Sequence, residues 1–437
     1  MKEIDDFFKR NNFDYKIDIE YAAAILLEDM KKGLESEAES VSSMDMIPLW
    51  KNLPDSTPKD KKVIIIDAGG TNFRAGIVYF DKKGVPEILS FFKHPMPALD
   101  REMTNEEFFD SIAEYLEPLK DESDMISFCF SYAIKIFPDG GGQAIKLSKE
   151  IKLPYIGDCK INEGLFQALS RKGWKKIKKI IMVNDTAAVL QSGIFSETDD
   201  QGFDSHIGFV LGTGLNSAYI EYGKIEKLKT TEFYDKPQII VCESGKSNKI
   251  PQSKFDKILS ENSNLKNEYF LERMCSGRYL GELCSIALRA GAAEGIFSPR
   301  VNKMLLNSCD FSSEEISLFL KEQNHDKNIF SGIIEAHSVS EDYVKIYSIC
   351  KCFFERAGRL SAAVIAAACI KTGKGKSSDK PICISADGSM FLKGFLIKER
   401  IFKSLHTCLT EKRGIYFVLK TNDEAVTLGT ALAAFLN

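Results

Sequence analysis

Apolar residues run from Val63 to Ile66, stop at Asp67, give way to glycines, a threonine and an asparagine, and resume from Ala75 to Phe80. The pattern over 64–80 predicts two strands folded over a glycine turn. Helical spacing of Ile17, Ile19, Tyr21, Ala24, Ile25 and Met30 predicts an opening helix over 17–36. Residues 51–60, with two prolines, read as a connection. A helix is expected over 104–120, with Thr104 at its cap and Glu107 three residues on. Residues 125–134 and 179–184 read as buried strands, the second running into Asp185 and a helix over 186–193. The apolar stretch 362–370 reads as a buried helix, and the polar segments 244–265 and 371–380 as loops. Strand alternating with helix gives an α/β fold.

The hairpin pattern occurs twice. Residues 64–79 and 208–222, roughly 145 residues apart, each carry an apolar run, a turn of two glycines and a threonine, an asparagine, and a second apolar run. Two similar halves are expected, each offering a glycine turn.

A chain of 437 residues suits two domains, and its 44% hydrophobic and 27% charged residues suit a globular protein. A net charge of −4 argues against binding nucleic acid through a basic surface, and the basic run at 171–179 reads as a solvated helix end. The stretch 362–370 is too short for a membrane span, and the charged N-terminus lacks the apolar core of a signal peptide. Eleven cysteines without a C-x-x-C pair point to a reduced, cytoplasmic setting and away from zinc. Five dispersed histidines signal no His-based site.

Glycine turns let backbone N–H groups approach an anion, so 67–72 and 212–216 are candidate phosphate contacts as well as ordinary hairpin turns. Neither is a P-loop: Gly245-Lys246-Ser247 and Gly375-Lys376-Ser377 lack the glycine five residues earlier. No dinucleotide fingerprint is present either. Asn184 and Asp185 fall at a strand's carboxyl end, where Asp185 could cap the helix or act as a general base. Asp387-Gly388-Ser389 repeats that geometry. Glu243 and Glu272, judged by their neighbours alone, read as surface acids.

Taken in order, these segments resemble the eukaryotic-type hexokinase family. The resemblance runs from about residue 43 to the end through "MIPLW", "VIIIDAGGTNFRAGIV", "FCFSYAI", "LSKEIKLP", "VNDTAAVL", "IGFVLGTGLNSAYIE", "LERMCSGRYLGEL" and "SADGSMF". It implies the actin-like ATPase (ribonuclease H-like) fold: two α/β domains flanking a deep cleft. The small domain would take 57–185 and 421–437, and the large one 1–56 and 186–420.

The resemblance also implies ATP-dependent phosphorylation of a hexose, glucose first, at its 6-hydroxyl, with Mg²⁺. Asp185 would take the proton and Lys149 would assist. Ser131, Ser148, Lys149, Asn184, Asp185, Asn216, Glu243 and Glu272 would hold the sugar. Asp67 would orient the Mg²⁺ shell through water. Gly69, Gly70, Thr71, Asn72 and Arg74, with Gly212, Thr213 and Gly214, would surround the phosphates, and Asp387, Gly388 and Ser389 would lie toward the nucleoside.

Departures from the family pattern are Val241 and Ser244 in place of Asn and Trp, Ala133 in place of Pro, and 422–429 ("NDEAVTLG") in place of Asp-Gly-Ser-Gly. They bear on sugar preference and nucleotide affinity rather than on reaction type. The chain reads as one cytoplasmic module with no membrane, nucleic-acid or obligatory protein partner. The alternatives are a kinase for another hexose or an amino-hexose, a catalytically silent sugar sensor, and an actin- or chaperone-like ATPase.

Overall fold

The computed structural model describes residues 2–36, 41–51, 57–69, 72–131, 133–146, 151–153, 160–195, 202–263, 266, 268–321, 329–330 and 341–436. Gly70, Thr71, Ser148 and Lys149 lie outside the described residues.

The chain opens with α1 (Lys2–Arg10) and α2 (Ile19–Glu35), followed by the short β1 (Ile47–Pro48). The predicted hairpin is β2 (Lys61–Gly69) and β3 (Asn72–Phe80), continued by β4 (Pro86–Pro95). Then come α3 (Asn105–Tyr115), β5 (Met125–Phe130), the small pair β6 (Ala133–Ile136) and β7 (Gly142–Lys146), α4 (Ile161–Arg171), β8 (Lys179–Val183) and α5 (Asp185–Phe195).

The second hairpin is β9 (Ser205–Leu211) and β10 (Leu215–Glu221), with β11 (Gln238–Val241) beside it. A helical stretch follows: α6 (Lys254–Asn262), α7 (Phe270–Cys275), α8 (Leu280–Ala293), α9 (Pro299–Leu306), α10 (Ser313–Lys321) and α11 (Glu341–Thr372). The chain closes through β12 (Ile382–Asp387), α12 (Ser389–Lys393), α13 (Ile397–Leu405), β13 (Phe417–Lys420) and α14 (Ala425–Ala433).

Two sheets organise these elements. One has the order β4-β3-β2-β5-β8, with antiparallel β2/β3 and β3/β4 and parallel β2/β5 and β5/β8. The other has the order β1-β11-β10-β9-β12-β13, with antiparallel β1/β11, β10/β11 and β9/β10 and parallel β9/β12 and β12/β13. The sequence repeat thus marks the antiparallel hairpin in each sheet. Beside each hairpin stands a parallel strand, β5 and β12, whose carboxyl end leads to the candidate residues Ser131 and Asp387.

β2 is buried on both faces. Ile64 and Ile66 join one apolar cluster, while Val63 and Ile65 pack with Ala431 and Leu432 of α14. Between the sheets, α5 and α14 meet so closely that a Cβ on Gly429 would fall 1.7 Å from the Ala188 carbonyl oxygen. Only glycine allows that approach. Residues 361–369 of α11 are all buried, as the apolar run predicts. Among the described residues no helix is long and apolar enough to cross a membrane.

Four expectations need correction. A helix, α1, precedes the predicted opening one, with Ile4, Phe7 and Phe8 buried. The strand expected over 125–134 ends at Phe130, and Ala133–Ile136 pairs instead with β7. The loop expected over 244–265 contains α6, held by a capping box between Ser253 and Asp256. The cap of α5 is Asn184 rather than Asp185: Asn184 Oδ1 accepts the Thr186 amide at 2.9 Å.

Candidate active site

In the first hairpin, antiparallel pairing sets Arg74 directly opposite Asp67 and Asn72 opposite Gly69. Arg74 Nη1 donates to Asp67 Oδ2 at 2.9 Å. Burial raises the Asp67 carboxyl above its usual range, with the guanidinium charge working against it. A Cβ on Gly69 would come 2.9 Å from the Ser131 Cβ, so only glycine lets the chain after β5 lie against this turn. The Ser131 amide donates to the Ala68 carbonyl at 2.9 Å.

At the end of β8, the first turn of α5 carries Asp185. Its Oδ1 accepts from the Thr186 amide at 2.6 Å and the Thr186 hydroxyl at 3.0 Å. Burial raises the Asp185 carboxyl, Thr186 partly offsets this, and Asp67 and Asp387 raise it further. Carboxylates from both sheets therefore converge here. Gly208 of β9 lets the helix sit flush, because a Cβ there would lie 2.3 Å from the Thr186 carbonyl oxygen.

The second turn is tied to the end of β12. The Gly212 amide bonds the Gly214 carbonyl at 3.0 Å, and the Gly277 amide bonds the Gly212 carbonyl at 2.8 Å. Thr213 is exposed at the tip. Gly388, at φ 109°, presses its backbone on Leu211, where a Cβ would fall 2.4 Å from the Leu211 carbonyl carbon and oxygen. A Cβ on Gly212 would lie 3.5 Å from the Gly388 Cα and 3.6 Å from the Ser389 amide nitrogen. Gly212, Gly388 and Ser389 thus line one place. Burial raises the Asp387 carboxyl, and its Oδ1 accepts the Gly388 amide at 2.6 Å.

Just past that turn, Asn216 Nδ2 donates to Glu243 Oε1 at 2.9 Å. Asn216 Oδ1 accepts the Ser217 amide at 2.8 Å and the Ser244 amide at 3.3 Å. Glu272 Oε2 accepts the Leu215 amide at 3.1 Å. Burial pushes both glutamates up to about 7. The reading of these two as surface acids is therefore wrong: bare backbone at Gly214 and Gly245 closes over Glu272.

Of the residues expected from the sequence, Asp67, Asp185 and Asp387 stand within electrostatic reach of one another, Asp185 reaches Glu243 and Glu243 reaches Glu272, with Asn216 bonded to Glu243, Asn184 next to Asp185 and Ser131 against Gly69. Gly69, Asn72 and Arg74 flank the first hairpin's turn, and Gly212, Thr213 and Gly214 make the second, with Gly388 and Ser389 against it. Gly70, Thr71, Ser148 and Lys149 are outside the described residues. Where the resemblance departs, Val241 is buried in β11, and the buried Ser244 hydroxyl bonds that of Ser217 at 2.7 Å.

Sequence reasoning passed over three groups beside Glu243. Lys246 Nζ donates to Asp45 Oδ2 at 2.6 Å and lies 5.8 Å from the centroid of the Tyr269 ring. In the sequence Lys246 stands out only within the incomplete P-loop match at 245–247, and nothing local marks Asp45 or Tyr269.

Two hairpin-bearing sheets with half-buried Asp185 between their glycine turns are the arrangement of the actin-like ATPase fold. Two family models, each described as Hexokinase, match residues 9–195 and 206–436, and the chain belongs to the hexokinase family. It transfers a phosphoryl group from ATP to a hexose. Hexokinase-4 of Arabidopsis thaliana is 26% identical over 436 residues, covering 92% of this chain and 84% of that protein. The solved hexokinase of Schistosoma mansoni complexed with glucose superposes with a TM-score of 0.79 at 20% identity, covering 96% of each chain. A further hexokinase crystal structure gives 0.81 at 18% identity, covering 99% of each.

Proposed function

We propose that the acceptor is glucose and that the phosphoryl group goes to its 6-hydroxyl, with Asp185 as the general base. The observation that carries this reading is the state of Asp185. It is a half-buried carboxyl whose proton affinity is lifted by desolvation and by two neighbouring acids, at the start of a helix capped by another residue. A 6-hydroxyl becomes a competent nucleophile when such a base accepts its proton. The proton passes from the sugar oxygen to a carboxylate oxygen of Asp185 as that sugar oxygen bonds to the γ-phosphorus and the bond to ADP breaks.

Asn184, Asn216, Glu243, Glu272 and Ser131 hold the ring hydroxyls in this reading, with Ser148 and Lys149 completing the set. A polyol needs several convergent polar groups, and a site built this way rejects analogues that leave one of them unpaired. Gly69, Gly70, Thr71, Asn72, Arg74, Gly212, Thr213 and Gly214 surround the phosphates, where backbone amides and a cation meet the charge that develops in transfer. Asp387, Gly388 and Ser389 face the nucleoside.

Among the described residues no three acids stand close enough to hold a metal ion by themselves, so Mg²⁺ would come with the nucleotide phosphates and meet the negative charge of Asp67 through water. Asp67 would hold its hydration shell, and the bound ion would neutralise phosphate charge. Arg74, which pairs with Asp67, would turn to the phosphates in this reading.

We divide the chain into a small domain, 57–185 with 421–437, and a large domain, 1–56 with 186–420. What supports this is that each sheet lies within one of them, with α5 meeting α14 at the junction. A cytoplasmic location is supported by the ten described cysteines, all free. The test is a coupled ADP-release assay over a panel of hexoses. Turnover fastest with glucose and dependent on Mg²⁺ is expected; fastest turnover with an amino-hexose would reassign the acceptor.

A further inference from the structure

Asp29, on α2, is a buried acid that neither the sugar nor the nucleotide assignment uses. Gly33, one turn on, presses the same face of the helix against the segment 42–46. A Cβ there would fall 2.5 Å from the Met46 Cγ and 2.8 Å from the Met44 carbonyl oxygen. The two oxygens of Asp29 face that segment and the turn after Glu243 at once. Oδ1 accepts the Ser43 amide at 3.2 Å and lies 3.9 Å from Lys249 Nζ. Oδ2 accepts the Ser43 hydroxyl and lies 3.5 Å from the Ser247 hydroxyl.

Ser43 carries the contact onward. Because its hydroxyl hydrogen goes to Asp29, its lone pairs are turned to the Asn248 amide, which donates to Oγ at 3.2 Å. Lys246 Nζ adds its bond to Asp45 at 2.6 Å. Ahead of Glu243, the Met46 amide donates to the Cys242 carbonyl at 3.4 Å, beside the pairing of β1 with β11. The segment 43–46 therefore grips the chain on both sides of Glu243, at 242 and at 246–248.

Glu243 needs that grip. Its backbone lies at φ 55° and ψ 47°, a left-handed state that a side chain other than glycine holds only where its surroundings over-determine it. From that state Glu243 Oε1 takes Asn216 Nδ2 at 2.9 Å, while the Lys246 amide closes a turn on the Glu243 carbonyl at 3.0 Å. We infer that Asp29 is a positioning residue of the acceptor site: through Ser43 and Ser247 it locks the turn 243–248 and so fixes the aim of the Glu243 carboxylate. This role rests on the reading of Glu243 as a hexose ligand and adds to it what holds that ligand in place. It makes α2, outside both sheets, part of the sugar site.

The test is a double-mutant cycle of wild type, Asp29→Asn, Glu243→Ala and the double variant, with kcat and KM measured for glucose and for ATP. An asparagine at 29 keeps the shape but has one acceptor oxygen, so either the Ser43 amide or its hydroxyl loses its acceptor. Asp29→Asn should raise the glucose KM about tenfold, the size expected of one such bond, and leave kcat and the ATP KM within about twofold. In the Glu243→Ala background the same change should alter kcat/KM for glucose by less than about twofold, because the carboxylate it aims is gone. Ser43→Ala, which cuts the link to Asn248 and keeps Asp29, should show the same pattern with a smaller rise, and it decides the matter in the same cycle if Asp29→Asn does not fold. A purely structural acid would lower the active fraction, and so the apparent kcat, with the glucose KM unchanged. That result, or an equal effect in both backgrounds, overturns the inference while leaving the hexokinase reading intact. Glu243→Ala with an unchanged glucose KM overturns the reading of Glu243 as a sugar ligand, and this role with it.

Discussion

The two glutamates make the sugar-free protein sensitive to pH in a calculable direction. Burial is the main cause that lifts Glu243 and Glu272 from 4.5 to about 7; Asp45 and Asp185 add to it for Glu243, and Glu243 adds to it for Glu272. Lys246 and the Asn216 amide oppose the rise at Glu243, and the Leu215 amide, Arg273 and Arg278 oppose it at Glu272. Between about pH 4.5 and pH 7 the folded protein then binds more protons than the unfolded chain, so stability falls as pH rises through that window. A rise of this size at one carboxyl corresponds to about 3 kcal/mol. The two acids interact, so their joint contribution is below twice that.

The assay is thermal or denaturant unfolding of the sugar-free protein at pH 5, 6, 7 and 8, beside the double variant Glu243→Gln, Glu272→Gln. Every other titrating group is common to both proteins and cancels in the comparison. Wild type should lose about 3–5 kcal/mol more than the variant from pH 5 to pH 8. Glucose should restore part of that loss, because its hydroxyls donate to the ionised carboxylates. Parallel pH profiles for the two proteins would refute the reasoning, since they would mean that the glutamates ionise as freely in the fold as in water.

Two further outcomes follow from the placement of the turns. Thr213→Val should weaken use of ATP by about 1.5–3 kcal/mol, the worth of one hydrogen bond to a charged group, and leave glucose affinity nearly unchanged; isothermal titration with each substrate checks this, and an equal loss for both contradicts the role of that turn. Glucose alone should compact the protein, because its proposed ligands come from both sides of the cleft; small-angle scattering with and without saturating glucose reads this, and an unchanged radius of gyration counts against it.

What could be read in the sequence was what is local. The hairpin over Asp67 announces itself because strand alternation and glycine turns are properties of a few neighbouring residues, and its echo over 208–222 marked the second sheet. The capping pair Thr104–Glu107 likewise forms as spacing predicts. Convergence is not local. Nothing in the neighbours of Glu272 says that Gly214 and Gly245 will close over it, or in those of Glu243 that Asn216 will bond it, so as isolated acids they look solvated, and only the family resemblance brought them to the sugar. Helix α6 was lost in a polar stretch because Phe255 and Leu259, which bury it, are outnumbered by lysine, serine and asparagine. Tyr269, Lys246 and Asp45 come from three distant segments, and no spacing rule joins them.

The central claim is that Asp185 is the base, and Asp185→Asn tests it most directly. Asn184 caps α5, and an asparagine at 185 keeps an oxygen for the Thr186 amide and hydroxyl, so fold and local geometry are preserved. What is lost is the ability to take a proton, worth about 10²–10⁴-fold in rate. With glucose binding followed by intrinsic fluorescence and turnover measured on the same preparation, affinity should stay within about tenfold, or about 1.4 kcal/mol, while kcat falls by at least a hundredfold. A folded, glucose-binding Asp185→Asn protein with undiminished kcat would contradict the account.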